Sequence, residues 1–212
     1  MVHRNMPYIY HFIHVIARPL FKALFKFQIF GVENVPSTGG VLIMSNHASY
    51  VDPVFVGTAV KRNLHYMARS TLFKPNLIKW FLLRVNAFPV HLGSPDRKAI
   101  SQALRLLGSG NLLLIFPEGT RTVDGTLGKA QPGIGFIAHK ANVPVMPAFL
   151  SGTREVMPRK AKMIKSGKIK VYFGKPLDME KYRKRKGSRE IYTEIGEEVM
   201  ARIADLESIS EV

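Results

Sequence analysis

The stretch Leu112-Leu113-Leu114-Ile115-Phe116-Pro117-Glu118-Gly119-Thr120-Arg121 places five apolar residues directly before a polar loop. A short apolar run that stops at Pro and Gly is typical of a strand buried on both faces. Such strands occur mainly in parallel sheets, in which helices connect one strand to the next. The stretch therefore predicts an interior strand of an α/β fold, followed by a loop of polar side chains.

Similar apolar runs recur along the whole chain and alternate with helical patterns. The predicted strands are 40–45, 64–68, 87–90, 112–116, 145–150 and 169–173. The predicted helices are 53–61, 75–84, 96–107, 133–140 and 188–206. Strands that take turns with helices imply an α/β fold with a mostly parallel central sheet flanked by helices.

The composition excludes several classes of protein. Of the 212 residues, 46% are hydrophobic and 10% are aromatic, which is enough for a folded core and argues against intrinsic disorder. The length suits one compact domain with a short appendage. Cysteine is absent, which excludes disulfides, thiolate metal sites, iron–sulfur clusters and a cysteine nucleophile.

The chain is strongly basic. It has 31 Lys and Arg against 15 Asp and Glu, a formal net charge of +16. Residues 151–190 contain 14 basic and 4 acidic residues, whereas residues 191–212 contain 1 basic and 6 acidic residues. A surface of this charge attracts nucleic acid, anionic lipid headgroups or a phosphorylated substrate, and composition alone does not choose among them.

Residues 6–30 have the pattern of a helix that lies flat in a membrane interface, with Pro19 predicted to divide it into two short helices. Apolar side chains recur at helical spacing at Ile9, Phe12, Ile13, Ile16, Leu20, Leu24 and Phe27. The uncharged part is too short to span a bilayer. We therefore predict interfacial helices at 1–30 and a globular domain at 31–212. An ordinary helix packed on that domain is the alternative.

Two loops that follow predicted strands are rich in polar side chains. One is Asn46-His47-Ala48-Ser49-Tyr50-Val51-Asp52-Pro53, and the other is Pro117-Glu118-Gly119-Thr120-Arg121. In α/β folds, binding and catalytic sites lie beyond the carboxyl ends of the strands. These two loops are therefore the predicted site.

His47 and Asp52 allow two interpretations. Asp52 before Pro53 has the pattern of a helix N-cap with Pro at the first helical position, which is a sufficient structural reason for both residues. Alternatively, the loop folds back so that Asp52 accepts the Nδ1–H of His47 and leaves Nε2 free as a general base. The local sequence leaves both interpretations open.

The second loop has the features of a phosphate site. Gly119 permits close approach of the backbone, and the guanidinium of Arg121 matches a phosphate in a bidentate way. Glu118 would repel a phosphate, so it requires a cation as partner or binds a substrate hydroxyl. The alternative is an ordinary turn in which Glu118 and Arg121 pair with each other.

Taken together, these motifs resemble those of the glycerolipid acyltransferases. The matching residues are Asn46-His47 with Asp52, then Phe116-Pro117-Glu118-Gly119-Thr120-Arg121, then Val143-Pro144-Val145-Met146-Pro147 leading to Gly152-Thr153. The likeness runs from about Phe30 to about Thr153 and is greatest to the bacterial 1-acyl-sn-glycerol-3-phosphate acyltransferases. It implies a glycerol-phosphate acyltransferase-like domain at 31–212 and an amphipathic membrane anchor before it.

The resemblance also implies a reaction. A fatty acyl group would pass from a coenzyme A or acyl-carrier-protein thioester to the free hydroxyl of lysophosphatidic acid, which makes phosphatidic acid. His47 would be the general base, and Asp52 would orient it. The residues implied at the glycerol phosphate of the acceptor are Glu118, Gly119, Thr120 and Arg121.

The chain departs from the family pattern at one position. Many relatives have Pro-Val-x-Arg, whose arginine binds the acceptor phosphate, whereas this chain has Pro89-Val90-His91-Leu92. Arg97, at the start of the next predicted helix, is a candidate replacement, and His91 and Lys98 are further candidates. An acyltransferase for another lysolipid acceptor is the alternative.

The resemblance implies no metal and no cofactor beyond the thioester co-substrate. The implied partners are a lysophospholipid acceptor, an acyl thioester donor and an anionic membrane surface, with no nucleic acid. The implied location is the cytoplasmic face of the cell membrane, as a peripheral protein. A non-catalytic basic protein that binds membrane or nucleic acid is the alternative from another class.

The segment 133–138 matches the G-x-G-x-x-A pattern of dinucleotide-binding proteins. That pattern requires a strand directly before the glycines. Here Pro132 and a polar loop precede them, so we predict the start of an ordinary helix.

Overall fold

The computed structural model describes residues 16–91, 93, 96–161 and 163–211. Its strands are β1 (Gln28–Phe30), β2 (Val41–Ser45), β3 (Leu64–Arg69), β4 (Ala87–Val90), β5 (Leu112–Ile115), β6 (Val145–Ser151) and β7 (Lys170–Phe173). Its α-helices are α1 (Arg18–Phe25), α2 (Asp52–Ala59), α3 (Asn76–Arg84), α4 (Arg97–Gly108), α5 (Pro132–Lys140), α6 (Thr153–Val156), α7 (Glu180–Arg183) and α8 (Arg189–Ser210). Short 3₁₀ helices lie at Val32–Asn34 and Ser70–Phe73.

The strands form one seven-stranded sheet in the order β1-β7-β6-β2-β5-β3-β4. All neighbouring strands are parallel except β6 and β7. β2 lies between β6 and β5, and all five of its residues are buried. The predicted α/β fold with a mostly parallel central sheet is therefore confirmed. The uninterrupted apolar runs result from burial of the strands on both faces.

Helices cover both faces of the sheet. Leu42 and Met44 of β2 belong to the cluster that packs under α4, α5 and α8. Val41 and Ile43 belong to a second cluster, on the other face, together with residues of α1 and α2. Because successive residues of a strand point to opposite faces, β2 contributes to both halves of the core.

The described part of the amino-terminal segment, residues 16–30, is only partly helical. Where it is described, the predicted helix 6–30 forms α1, with Pro19 in its first turn, and residues 6–15 lie outside the described residues. The prediction that the helix continues to residue 30 is wrong, because Lys26 adopts a left-handed φ of 43° and Gln28–Phe30 pairs with β7. The sheet edge satisfies the backbone groups of these residues.

α1 has one packed side and one exposed side. The ring centroids of Phe21 and Phe25 lie 5.0 and 5.3 Å from that of Phe55 in α2. The α1 stripe, by contrast, is about half exposed and consists of Leu20 and Leu24 of α1 together with Ile16, two residues before the helix. Within the described ranges, no helix has both the length and the apolar character needed to cross a bilayer. α1 therefore packs on the domain and still presents apolar side chains outward.

Gly135, in the first turn of α5, serves helix packing. A methyl group at Gly135 would overlap the carbonyl oxygen of Tyr192 in α8. A long loop separates α5 from β5, so no strand leads directly into the glycines of α5. The second glycine of the G-x-G-x-x-A pattern therefore has a packing explanation, since only glycine permits this close approach of two helices.

Candidate active site

The carboxyl ends of β2, β5 and β6 lie side by side at one edge of the sheet. β2 leads into the loop of His47, and β5 leads into the loop of Arg121. The N–H of Thr122 donates a hydrogen bond to the His47 carbonyl oxygen at 2.8 Å, which joins the two loops. The polar loops predicted from the sequence therefore meet, as the topology of a parallel sheet requires.

Asn46 fixes the start of the His47 loop. Its Nδ2 donates to the Leu150 carbonyl oxygen at 3.0 Å, and its Oδ1 accepts from the Leu150 N–H at 2.8 Å. The buried amide thus bridges the ends of β2 and β6 in the way that a strand backbone would. The local sequence does not indicate this role, because the partner lies 104 residues away.

His47 and Asp52 form the central pair. Nδ1 of His47 lies 2.8 Å from Oδ2 of Asp52. The same oxygen accepts hydrogen bonds from the N–H groups of Ala48 and Ser49, each at 2.8 Å. Asp52 is the first residue of α2 and its carboxylate turns back onto the loop, while Val51 occupies the N-cap position. The N-cap interpretation of Asp52 is therefore wrong, and the folded-back loop is the observed geometry.

This geometry determines which nitrogen of His47 is available. A carboxylate only accepts hydrogen bonds, so the Nδ1 that faces Asp52 carries the hydrogen. Nε2 then has a free lone pair, and it has no hydrogen-bond partner among the described residues. The His47 side chain is 17% exposed while that of Asp52 is fully buried. The His47 ring stacks on Phe116, with centroids 3.9 Å apart and an interplanar angle of 14°, which fixes its orientation.

Glu118 contacts the backbone of two loops. Its Oε1 accepts from the backbone N–H of His47 at 2.8 Å, and its Oε2 accepts from that of Gly128 at 3.0 Å. Burial raises the pKa of the Glu118 carboxyl, although these hydrogen bonds oppose the shift. The structure gives no ion pair with Arg121 in the ranges that it describes, so the simple-turn alternative is also wrong. Glu118 therefore stabilises the backbone of the His47 loop.

Gly119 and Thr120 complete the turn after β5. Gly119 has a φ of 70°, a left-handed conformation that favours glycine, and its N–H donates to the Phe116 carbonyl oxygen at 3.0 Å. Thr120 is exposed at the surface of this turn. Glycine is therefore needed here to turn the chain so that Arg121 reaches the His47 loop.

Arg121 lies against that loop. Its guanidinium carbon is 3.4 Å from the ring centroid of Tyr50, which is half exposed. Its Nη1 donates to the Arg159 carbonyl oxygen at 3.2 Å, and Nη1 of Arg159 donates to the Arg121 carbonyl oxygen at 3.2 Å. Tyr50 and Arg159 were not predicted as site residues, because neither contact has a signal in the local sequence.

Arg97 and the segment before it lie apart from these contacts. Arg97 is exposed in the first turn of α4 and lines a groove of about 590 Å³ with Ile100, Leu104 and Phe136. Leu92, the departure from the family pattern, lies outside the described residues. The structure does not join Arg97 to the His47 and Arg121 loops by any hydrogen bond or ion pair that it describes. In the same ranges, no three His, Asp or Glu residues cluster as metal ligands.

The arrangement defines a class of protein. A histidine oriented by a carboxylate beside a basic loop, at the carboxyl edge of a parallel sheet, suits an enzyme that activates a hydroxyl group. The chain belongs to the Acyltransferase family, whose model matches residues 26–151. The chain is therefore an enzyme that uses an acyl donor and an acceptor, rather than a non-catalytic binding protein.

Known relatives support this family. A 1-acyl-sn-glycerol-3-phosphate acyltransferase of Bacillus subtilis (strain 168) is 32% identical over 183 residues, which cover 85% of this chain and 88% of that protein. The chloroplastic 1-acyl-sn-glycerol-3-phosphate acyltransferase LPAT1 of Arabidopsis thaliana is 29% identical over 180 residues, 81% of this chain and 50% of that protein. This chain thus spans half the length of the plant relative.

The fold also resembles a solved structure. The crystal structure of the 1-acyl-sn-glycerophosphate (LPA) acyltransferase PlsC from Thermotoga maritima matches with a TM-score of 0.76 and 24% sequence identity. The match covers 97% of this chain and 84% of that chain. The shared architecture therefore extends over almost the whole length of this chain.

Proposed function

We propose that the chain transfers a fatty acyl group from an acyl-CoA or acyl-carrier-protein thioester to the free hydroxyl of 1-acyl-sn-glycerol 3-phosphate. The product is phosphatidic acid, a precursor in phospholipid biosynthesis. The Bacillus and Arabidopsis relatives, both named as acyltransferases for this acceptor, support the substrate assignment. The observation that carries the chemistry is the 2.8 Å contact between His47 Nδ1 and Asp52 Oδ2.

The proposed reaction needs a single proton carrier. Nε2 of His47 takes the proton of the acceptor hydroxyl while that oxygen attacks the carbonyl carbon of the thioester. A C–O bond forms, the C–S bond breaks, and the imidazolium returns the proton to the departing thiolate. Asp52 stabilises the imidazolium and holds the ring. A general base in this position typically contributes about 10²–10⁴-fold to the rate.

No acyl-enzyme intermediate is part of the proposal. The chain has no cysteine, and no Gly-x-Ser-x-Gly elbow occurs in its sequence. A thioester is already activated, so we propose that neither a metal nor an organic cofactor takes part. The thioester itself is the co-substrate.

Arg121 is the proposed ligand of the acceptor phosphate. It follows the glycine turn and lies on Tyr50 of the His47 loop, which supports placing the headgroup next to the base. A guanidinium binds a phosphomonoester through two parallel hydrogen bonds. Gly119 and Thr120 lie in the same turn and are proposed to contact the headgroup.

We further propose that the enzyme works as a peripheral protein at the cytoplasmic face of the cell membrane, with no nucleic acid partner. The exposed α1 stripe and the net charge of +16 support an anionic lipid surface as the partner. The acceptor is a lipid, so this location would also supply the substrate.

The test is a panel of acceptors offered to the purified protein. The panel contains lysophosphatidic acid, lysophosphatidylcholine, lysophosphatidylethanolamine and glycerol 3-phosphate, each with acyl-CoA and with acyl-carrier protein. Release of free thiol that depends on lysophosphatidic acid, with phosphatidic acid found by mass spectrometry, is the expected result. A preference for another lysolipid would reassign the acceptor, and thiol release without any acceptor would indicate a thioesterase.

A further inference from the structure

α3 exposes large apolar side chains along its whole length. The helix has no buried residue. Its exposed large side chains, together called the α3 ridge, are Leu77 at 78%, Ile78 at 44%, Trp80 at 55% and Phe81 at 52% exposure. Contiguous apolar patches of this kind are rare on proteins without a partner and mark a docking surface.

The α3 ridge lies on the same side of the sheet as the α1 stripe. The β3–α3–β4 connection advances across the sheet in the same direction as β2–α2–β3, and such connections are almost always right-handed. The burial of Ala87 in β4 agrees with this placement. Phe88 points into the core under α4, α5 and α8, so its neighbour Ala87 points to the other face of the sheet. Ala87 is buried there, and α3 contacts β4.

The charge on this side favours an anionic partner. Residues 53–95 contain six Lys and Arg and no Asp or Glu. Lys74 and Lys79 are exposed beside the ridge, and the Arg84 guanidinium lies 4.8 Å from the Trp80 ring centroid. α8, on the opposite face, carries six acidic residues. Trp with flanking basic residues is typical of helices that enter the headgroup region of anionic bilayers.

We infer that the α3 ridge docks on the surface of an anionic phospholipid bilayer. This inference rests on the proposed membrane association and adds a contact surface that is separate from residues 1–30. β3 ends at Arg69, so α3 begins at the carboxyl edge of the sheet, where His47 also lies. Docking through both surfaces would hold the active site against the bilayer that contains the lipid acceptor.

Trp80 provides a direct test because it is the single tryptophan of the chain. The full-length protein is mixed with vesicles of phosphatidylglycerol or of phosphatidylcholine, and Trp80 emission is recorded. A blue shift on phosphatidylglycerol vesicles, with quenching by lipids brominated in their acyl chains, is the expected result. Sedimentation with vesicles and an unchanged Trp80 emission would overturn the inference, because another surface would then carry the binding.

A variant separates lipid docking from other occupants of the ridge. Leu77→Ser with Phe81→Ser keeps Trp80 and should weaken binding to phosphatidylglycerol vesicles about tenfold or more. Ile209→Ser, an exposed position on α8, is the matched control and should leave vesicle binding unchanged. Equal vesicle affinity of the two variants would contradict the inference. A blue shift of Trp80 emission that follows protein concentration without vesicles would also contradict it, because a second copy of the chain would then cover the ridge.

Acyl transfer measured in detergent micelles separates a failure of the docking inference from a failure of the proposed reaction. Micelles present the acceptor without a bilayer, so the ridge variant should retain acyl transfer there. Loss of vesicle binding with intact micellar activity supports the ridge as a docking surface. Equal loss of activity in micelles would count against it, since the substitutions would then act on the site itself.

A second inference concerns Arg159. Each guanidinium of Arg121 and Arg159 donates to the carbonyl oxygen of the other residue, so both cations lie where the two loops meet. Among the described residues, neither has a carboxylate within ion-pair distance. The Ser49 hydroxyl donates to the Met157 carbonyl oxygen at 2.7 Å, so the Arg159 loop is also tied to the loop of His47. Two cations without a counter-charge at this position are suited to a phosphate.

The geometry points to Arg159 as a specificity-determining residue that binds a substrate phosphate together with Arg121. The inference rests on the proposed function, in which both the acceptor and a coenzyme A donor carry phosphate groups. The two sources give different kinetics. A role at the acceptor raises the KM for lysophosphatidic acid, whereas a role at the donor raises the KM for acyl-CoA.

Arg159→Ala is compared with Arg159→Lys and with Lys165→Ala, an exposed basic residue of the same loop. Arg159→Ala should raise the acceptor KM about tenfold or more while kcat changes little, and Arg159→Lys should restore part of the loss. The KM for an uncharged monoacylglycerol acceptor should not rise. A rise only in the acyl-CoA KM would assign Arg121 and Arg159 to the phosphates of the donor. No rise in any KM would overturn the inference. The proposed function would be unaffected, because the activity of the wild-type protein tests it separately.

Discussion

Glu118 holds the backbone of His47: its Oε1 lies 2.8 Å from the His47 amide nitrogen, while its Oε2 lies 3.0 Å from that of Gly128. One carboxylate thus ties the loop after β2 to the loop after β5. The base and the proposed phosphate site come from these two loops, so their relative position depends on this buried side chain.

Glu118→Gln should lower kcat about tenfold to a hundredfold without abolishing folding. Glutamine offers one acceptor oxygen in place of two, so one backbone N–H loses its partner and the His47 loop shifts; a displacement of about 1 Å can cost ~10²-fold in rate. Thiol release under saturating substrates measures the effect. Glu155→Gln, at an exposed position, is the control, and equal activity of the two variants would contradict the role of Glu118.

The same variant should change the pH dependence of stability. Because burial raises the pKa of Glu118 above 4.5, the stability associated with its protonated form is present below 4.5 and is lost as pH rises through the raised pKa. Glutamine does not titrate. The free energy of unfolding of Glu118→Gln relative to wild type should therefore increase with pH across this window. Urea unfolding at several pH values measures it, and a pH-independent difference would refute the assignment.

His47→Ala should reduce acyl transfer about 10²–10⁴-fold while the protein stays folded. His91→Ala is the matched comparison, because His91 Nδ1 lies 2.9 Å from Asp96 Oδ2 in a second pair with the same spacing. His91 is 71% exposed, and its loss should leave most of the activity. Thiol release and circular dichroism of both variants provide the measurement. Substantial activity in His47→Ala would exclude this residue as the base.

Arg121→Ala should raise the KM for lysophosphatidic acid more than the KM for the acyl thioester. The guanidinium is proposed to contact only the headgroup of the acceptor, so its loss weakens acceptor binding, by about tenfold or more for a charged hydrogen-bond pair. Steady-state kinetics with each substrate varied in turn separate the two constants. The opposite pattern would place Arg121 at the donor.

Asn46→Ala should destabilise the protein by about 2–4 kcal/mol, because the N–H and C=O of Leu150 would both be left buried without a partner. Urea unfolding measures the loss. Asn111→Ala, which removes a single partly buried hydrogen bond to the Leu106 carbonyl oxygen, should cost less. A loss at Asn46 no greater than at Asn111 would show that the bridge between β2 and β6 contributes little.

The interior strands could be predicted from the sequence because strands buried on both faces are apolar without interruption. β2 and β5 were found in this way to within one residue at each end. β1 was missed, since Ile29 and Phe30 continue the apolar pattern of the helix before them. Its conformation depends on β7, whose paired residues lie 142 positions further along the chain, from Gln28 to Lys170.

The sequence by itself determined the order of β2–β7 and of helices α2–α5 and α8, the two polar loops and the family. These depend on apolar periodicity and on short motifs, which local sequence contains. The pairing of His47 with Asp52 is also local, and the same spacing produces a second pair at His91 and Asp96.

Only the tertiary structure showed how differently the two pairs are buried. His47 and Asp52 are 17% and 0% exposed, whereas His91 and Asp96 are 71% and 13% exposed. The ring of Phe116 and the carboxylate of Glu118 contact His47, and both come from the loop after β5, about 70 residues away, which the sheet places beside the loop after β2. Burial and neighbours of this kind follow from how the strands associate, which no short stretch of sequence encodes.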